Sequence, residues 1–379
     1  MSLATACSDQ RLSPCDIRQT DCQEDVFLYL QMLRGDGWNV FTEMPPVGTI
    51  TQEQFRQQLL GSASDQEQPP NPWDAALRLL SLIPPESSAA EASAEVLVSD
   101  VIAFYSFFTR SVTVIDRGEP QDLDYETEIL AHEFVHAIQD REIGPPFPYA
   151  SVDEAFARDA YAEGEAVLYE MLFDLRMAGT SPQIIDWDSL YGEMLGRVRN
   201  SVVESSAPFY TAQELVYPLG AEHLTRLYLQ GGNAALRTAY SDRPTHGIAY
   251  MVGTEADWER EARPVDCIVS EPEGLGLYDV NVMGAPATYA FLTAVGAEEK
   301  AAWDTALSWQ DDLILVFADD SGQSTALLWC LRFRDQAAAE DFIGYLPADG
   351  YRQVNRQGDQ VAVAAATDDP DLASWDPDL

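Results

Sequence analysis

Two histidines four residues apart, His132 and His136, with Glu133 between them, are the residues of this 379-residue chain best suited to chemistry. On a helix, positions i and i+4 share a face, so both imidazoles can reach one ion. Glu133 is turned from His132 by roughly 100° and can face a water held by that ion. Zinc suits such donors: with three protein ligands and one open position it lowers the pKa of its water toward about 7. A carboxylate can then take the proton while the water attacks an amide. The expectation is a zinc site on His132 and His136, with Glu133 as general base. Histidine pairs on amphipathic helices are often structural, and short motifs recur by chance. The rarity of histidine weighs against chance, because the chain has four and this segment uses two.

A third ligand is required. The pattern that places a glycine and another histidine just downstream fails here, because Gln139 and Glu142 occupy those positions. A carboxylate on the following helix is the other solution. Glu163, 27 residues after His136, is preferred, with Glu154 and Asp159 as weaker alternatives. Gly164 and the small Ala160, Ala162 and Ala166 allow another helix to approach closely. Asp159 is expected to accept a hydrogen bond from His132 or His136, and Glu165 and Glu170 read as a solvated face. Amide hydrolysis also needs a donor for the developing oxyanion. The candidates are Tyr217, His246, Tyr210 and His223. Tyr217, early in a helix, ranks first, although a half-buried core tyrosine fits it equally well. His246, in a loop, ranks second, and His223 reads as structural or exposed.

The elements that must hold these groups follow from pattern and punctuation. A helix is predicted over 125–142, capped by Asp124 and stopped by Gly144-Pro145-Pro146. The β-branched run 111–115 before it reads as a strand, and a longer helix follows over 152–177. Residues 23–110 read as helical, with pieces at 52–60, 75–82 and 90–104 and a polar linker over 62–72. Further helices are expected over 184–199, 213–230 and 233–240, the last two separated by Gly231-Gly232. Beyond 264 the pattern changes to strands at 267–269, 313–317, 326–331 and 361–364, with a helix at 337–345. The fold class is α+β: a zincin-like, mainly helical catalytic region with a short sheet, plus a small C-terminal α+β domain. The expected divisions are a loosely ordered leader (1–22), the catalytic domain (23–263), an accessory domain (264–367) and an acidic tail (368–379). Trp303, Trp309 and Trp329 read as packing of the accessory domain rather than as a substrate surface.

The run Ile129-Leu130-Ala131-His132-Glu133-Phe134-Val135-His136-Ala137-Ile138-Gln139-Asp140, followed by Ala162-Glu163-Gly164-Glu165-Ala166, resembles the bacterial gluzincin-type metallopeptidases, a thermolysin-like group of zinc peptidases. Ala103-Phe104-Tyr105, Tyr217-Pro218-Leu219-Gly220 and Gly231-Gly232-Asn233 are similar to flanking segments of that group. The resemblance covers roughly 75–250 and, more faintly, the C-terminal unit. It implies that Glu163 is the third ligand and Glu133 the base. The chain departs from the group after Asp242, where Arg243-Pro244-Thr245-His246 brings a histidine early. A zinc aminopeptidase or amidase, and a metallopeptidase-like scaffold that only binds, are the alternatives. No motif for gripping a free amine is apparent, and an intact Glu133 speaks against a dead scaffold.

Composition narrows the partners. With 63 acidic and 22 basic residues the formal charge is −41, and Lys300 is the only lysine. Such a surface repels nucleic acid and anionic membranes, leaving a peptide or protein as the expected partner. No apolar run of about 18 residues exists to span a membrane. The acidic excess fits a salty or exported setting, periplasmic or extracellular, and Ala6-Cys7 allows a lipid anchor. No intact signal peptide is visible, and a cytoplasmic setting stays open. Of the five cysteines, Cys15 and Cys22 are close enough to bridge locally if the protein is exported, with Cys330 read as a buried free thiol in the alternative.

Overall fold

The computed structural model describes residues 13–35, 40–41, 43–61, 70–118, 122–145, 147–241, 243–253, 264–265, 267, 271–347 and 353–367. Its elements are α1 (Thr20–Arg34), β1 (Val47–Thr51), α2 (Gln52–Leu60), α3 (Pro72–Leu79), α4 (Ala89–Asp100), β2 (Ala103–Ser106) and β3 (Ser111–Asp116). Then come α5 (Leu123–Ile143), α6 (Val152–Ala178), α7 (Trp187–Glu204), α8 (Pro208–Thr211), α9 (Val216–Ala239) and α10 (Gly247–Val252). The C-terminal part holds β4 (Gly276–Asn281), α11 (Gly284–Ala294), α12 (Glu299–Ala306), β5 (Trp309–Ala318), β6 (Thr325–Phe333), α13 (Gln336–Tyr345), β7 (Gln353–Gln357) and β8 (Gln360–Ala366). The architecture is mixed α+β, and among the described residues no helix is long and apolar enough to cross a membrane.

The two long helices that matter most are set by their ends. Asp122, not Asp124, caps α5, its side chain accepting from the Tyr125 amide. Ser151 caps α6 through the Glu154 amide, and Gly179 ends it with φ 71°, a conformation a side chain would disfavour. In α9 the helix breaks at Gly232, with φ 61° and ψ −154°, where the glycine pair signalled a separation.

The region 23–110 is not wholly helical. It contains β1 and β2, which join β3 in a sheet of order β1-β3-β2. β1 is β-branched at Val47, Thr49, Ile50 and Thr51 and runs parallel to β3, pairing Val47 with Val112. The predicted helix over 90–104 ends at Asp100, and its last residues turn into β2, antiparallel to β3 with Phe104 opposite Thr113. β2 is thus an edge strand, and α5 packs beside it.

The second sheet has the order β4-β5-β6-β8-β7, antiparallel throughout. Its strands extend those predicted at 313–317, 326–331 and 361–364, while β4, β7, α11 and α12 are additional. Of the strand expected at 267–269, Cys267 lies outside any strand and the other two residues fall outside the described ones. Trp309 and Trp329 are buried, their indole N–H groups both donating to Asp312, so these two rings are core.

One cluster of buried apolar residues runs from Ile17 to Ala365. Apolar α11 bridges the two regions, lying against α6, α7, α8 and β5. The expected boundary near 264 therefore separates two sheets, while one apolar cluster runs across it and a smaller one lies wholly beyond it. Residues 13–22 are not loose either: Ile17 is fully buried, Cys15 bonds Cys22, and the Cys15 amide donates to Thr127 on α5. Cys330 is no free thiol, because it is bonded to Cys267. Residues 1–12 and the tail from 368 lie outside the described residues.

Candidate metal centre

The middle of α5 is buried on every side from Leu130 to Asp140. Leu130, Ala131, Phe134, Val135 and Ile138 supply the apolar packing, which leaves His132, Glu133 and His136 at one wall. The opposite wall is α6, brought close to α9 by a glycine contact. A Cβ on Gly164 would lie 2.2 Å from the Gly220 carbonyl carbon, and one on Gly220 would lie 1.7 Å from the Ala160 oxygen. Only bare backbone fits on both sides of this crossing.

Glu163 projects from α6 between the two imidazoles. Its Oε2 is 3.1 Å from His132 Nε2 and 3.2 Å from His136 Nε2. All three donor atoms lie within 4.8 Å of one another. A tetrahedral zinc with bonds of about 2.0–2.1 Å holds its ligands roughly 3.3–3.4 Å apart. The donor types and the two carboxylate separations therefore suit such an ion. The histidines are nearly closed off, but the Glu163 side chain keeps 24% of its surface exposed, so the cluster opens to solvent.

The far nitrogens of both rings are also held. His132 Nδ1 is 3.0 Å from Glu170 Oε2, and His136 Nδ1 is 2.9 Å from Gln139 Oε1. The Gln139 amide nitrogen donates to Ala162 O at 3.0 Å and to Glu165 Oε2 at 2.8 Å. With its N–H groups spent on acceptors, Gln139 must present its oxygen to His136. Both imidazoles therefore carry a hydrogen on Nδ1 and aim Nε2 at the shared point, as ligation requires. Behind Glu165 lies Arg34, 1% exposed, bonded to Glu165 at 3.1 Å and to Glu142 at 3.2 Å. The Tyr240 hydroxyl also donates to Glu165.

Proton affinities follow from this packing. Burial works against charge on both histidines, yet Glu163, joined at His132 by Glu170, raises both above their ordinary value. Burial also opposes the charge of Glu163, but the two imidazoles hold it well below the usual carboxylate range. Burial pushes Glu133 up against the pull of both imidazoles and of a backbone hydrogen bond from Tyr105 on β2. The charge of Glu163 and then burial keep the Tyr217 hydroxyl protonated far above its usual range. A bound dication would take the place of protons on the histidine pair.

Tyr217 stands at this site, its ring 6.3 Å from that of His132 and its side chain partly open. His246 does not. Its Nδ1 is 2.8 Å from the buried Asp153 at the start of α6, ten residues before Glu163, or about 15 Å along the helix. Tyr210 is half-buried near Asp74, and His223 packs edge-on against Tyr250. Glu154 is occupied by the Ala150 amide and Arg158, which leaves it no role as a ligand. Asp159 accepts from Tyr149 instead of orienting a histidine. That task falls to Glu170 and Gln139, neither of which was singled out for it. Glu165, read as solvated, is 1% exposed. Two signals were available: Glu170 lies two turns after Glu163 on one helix face, and Gln139 lies one turn after His136.

No protein-family model matches the chain, and no curated protein or solved structure matches it.

Proposed function

We propose that this protein is a zinc-dependent peptidase with a zincin-like catalytic region, in which His132, His136 and Glu163 hold the metal. The observation that carries the reading is a single carboxylate oxygen 3.1 and 3.2 Å from two imidazole Nε2 atoms, in a cluster open to solvent. Zinc bound there would supply Lewis acidity, acidifying a water and polarising a peptide carbonyl. Glu133 is the general base. Burial raises its proton affinity against the pull of both imidazoles, which suits a group that must accept a proton and hand it on. Tyr217, kept protonated, donates a hydrogen bond to the oxyanion that develops on the carbonyl. β2, an edge strand whose Tyr105 amide meets Glu133, offers backbone groups along which an extended peptide can lie. The Cys15–Cys22 and Cys267–Cys330 bonds support an exported setting, since such bonds persist in oxidising compartments.

The test uses three proteins: the wild type, His136→Ala and Glu133→Gln. The wild type should bind about one zinc and cleave casein in a chelator-sensitive way, and His136→Ala should lose both properties. Glu133→Gln should keep the metal and lose at least ~100-fold of the turnover. A Glu133→Gln protein as active as the wild type, or a wild type that binds no zinc, would falsify the reading.

A further inference from the structure

Beside the metal cluster lies a small cavity, of about 30 Å³, that the proposed chemistry does not use. Phe107, Gln139, Arg158, Tyr161, Ala162 and Arg243 line it. Three of these tie it to the centre. Gln139 bonds His136, the Phe107 ring is 6.5 Å from the His136 ring, and Ala162 precedes Glu163. On α6, Arg158, Tyr161 and Ala162 occupy the face next to the one bearing Asp159 and Glu163.

Arg243 is the informative residue. In a chain with 63 acidic residues to 22 basic ones, carboxylates are plentiful. Arg158 is paired with Glu154, and Arg34, Arg199 and Arg226 each have an acid. Among the described residues Arg243 has no hydrogen-bond or ion-pair partner, although it is half-buried and its charge is felt by Glu154. Arg56, Arg176 and Arg197, the other arginines with no described acceptor, are exposed on helices where water serves them. No nitrogen of Arg243 is sealed from solvent, so its donors are open to water or to a ligand in the cavity. Arginine presents a planar fork of N–H groups that fits a carboxylate.

We infer that the Arg243 cavity is a subsite for a carboxylate of the bound peptide, either an aspartate or glutamate side chain or the C-terminus. The inference rests on the peptidase reading for its account of what the carboxylate belongs to. The cavity has room for a group about the size of two waters, which excludes a bulky side chain but admits a carboxylate tip. Elsewhere the protein's charge repels anions, so preference for one must come from a local cation.

The experiment uses full-length Glu133→Gln protein, with and without one equivalent of zinc, and acetylated five-residue peptides of alanine with one central variable position. One peptide carries glutamine and a C-terminal amide, a second carries glutamate and the amide, and a third carries glutamine and a free C-terminus. Affinities are compared at fixed ionic strength. One of the charged peptides should bind roughly ten- to a hundredfold tighter than the neutral one, and which one identifies the source of the carboxylate. Adding Arg243→Gln should erase that advantage while leaving the neutral peptide's affinity unchanged. Arg243→Lys should restore part of it, and Arg197→Gln should alter nothing. Equal binding of all three peptides, or an advantage that survives Arg243→Gln, overturns the inference. If the advantage depends on Arg243 but the wild type cleaves none of the peptides, the subsite stands and the peptidase reading falls.

Discussion

Replacing Gly220 by alanine tests the helix crossing on which the whole site depends. The added methyl would stand 1.7 Å from the Ala160 oxygen, 2.7 Å from its carbonyl carbon and 3.0 Å from Gly164 Cα. Carbon atoms rest at about 3.5–4.0 Å, so α9 must retreat from α6 by roughly 2 Å. No rotamer change can relieve the clash, because the atoms struck are backbone. A gap of even 0.5–1 Å forfeits roughly a quarter to a half of each dispersion contact it opens. The contacts at risk include buried Ala157, Tyr161, Leu168, Leu219 and Leu224. Overpacking of this kind costs about 3 kcal/mol or more, against which better helix propensity returns about 1 kcal/mol. The net expectation is a loss of at least about 2 kcal/mol. Gly192 on α7 supplies the control, since a Cβ there meets nothing within 4 Å. Gly192→Ala should gain about 0.5–1 kcal/mol. Urea unfolding followed by tryptophan fluorescence reads both midpoints. Gly220→Ala should also weaken zinc binding, because Glu163 and Tyr217 ride on the two helices forced apart. A Gly220→Ala midpoint at or above the wild type would show that the crossing is not as tight as described.

Three further outcomes are expected. His223 is lowered to about 4, by burial first and then by the charge of Arg226. A lowered histidine contributes stability that is complete above its unfolded value of about 6.5 and is lost as pH falls through its folded value. Between pH 6.5 and 4 that loss approaches roughly 3 kcal/mol, and His223→Gln should flatten this limb of a midpoint-against-pH curve. An unchanged limb would place the acid sensitivity elsewhere. Glu170→Gln and Gln139→Leu each free one imidazole on its far side. Each should weaken zinc affinity about 10–100-fold in a chelator competition. In the wild type, zinc binding should release protons and tighten with rising pH, because Glu163 raises both histidines in the free site. Calorimetry in buffers of different ionisation enthalpy counts those protons, and a count of zero contradicts this account.

Spacing on one helix anticipates that His132 and His136 would meet, and on the next helix it favours Glu163 over Glu154 and Asp159 without excluding them. The ends of α5 and α6 were legible to within about two residues from their caps and stop signals. β1 and β2 were not legible. Each is four or five residues long, and β2 continues an apolar stretch that begins in a genuine helix, so local pattern had no period to offer. Glu165 and Glu170 look alike in sequence, both acids on a polar-looking face. What separates their fates from solvation is Arg34, 131 positions upstream of Glu165, and His132 on another helix. No local signal announces such a partner. His246 shows the opposite failure, because a loop histidine invites a catalytic role and packing decided otherwise. It caps a buried aspartate instead.

The chain of contacts behind His136 explains how so few polar groups can make a defined site. An imidazole on a helix has two soft torsions, and a metal needs it fixed to within about 0.5 Å. Gln139 fixes the ring, but an amide alone could flip and present its nitrogen. Glu165 and Ala162 O prevent the flip by demanding both N–H groups. Glu165 in turn would be a buried, unpaired charge without Arg34, and breaking such a pair costs about 3–5 kcal/mol. The guanidinium belongs to the last residue of α1, a helix anchored at its other end by Cys15–Cys22. Thus the N-terminal segment, which contributes no atom to the metal cluster, determines which nitrogen His136 can offer it. Groups from separate helices are in this way linked in series, so that the arrangement that pairs one group also orients the next.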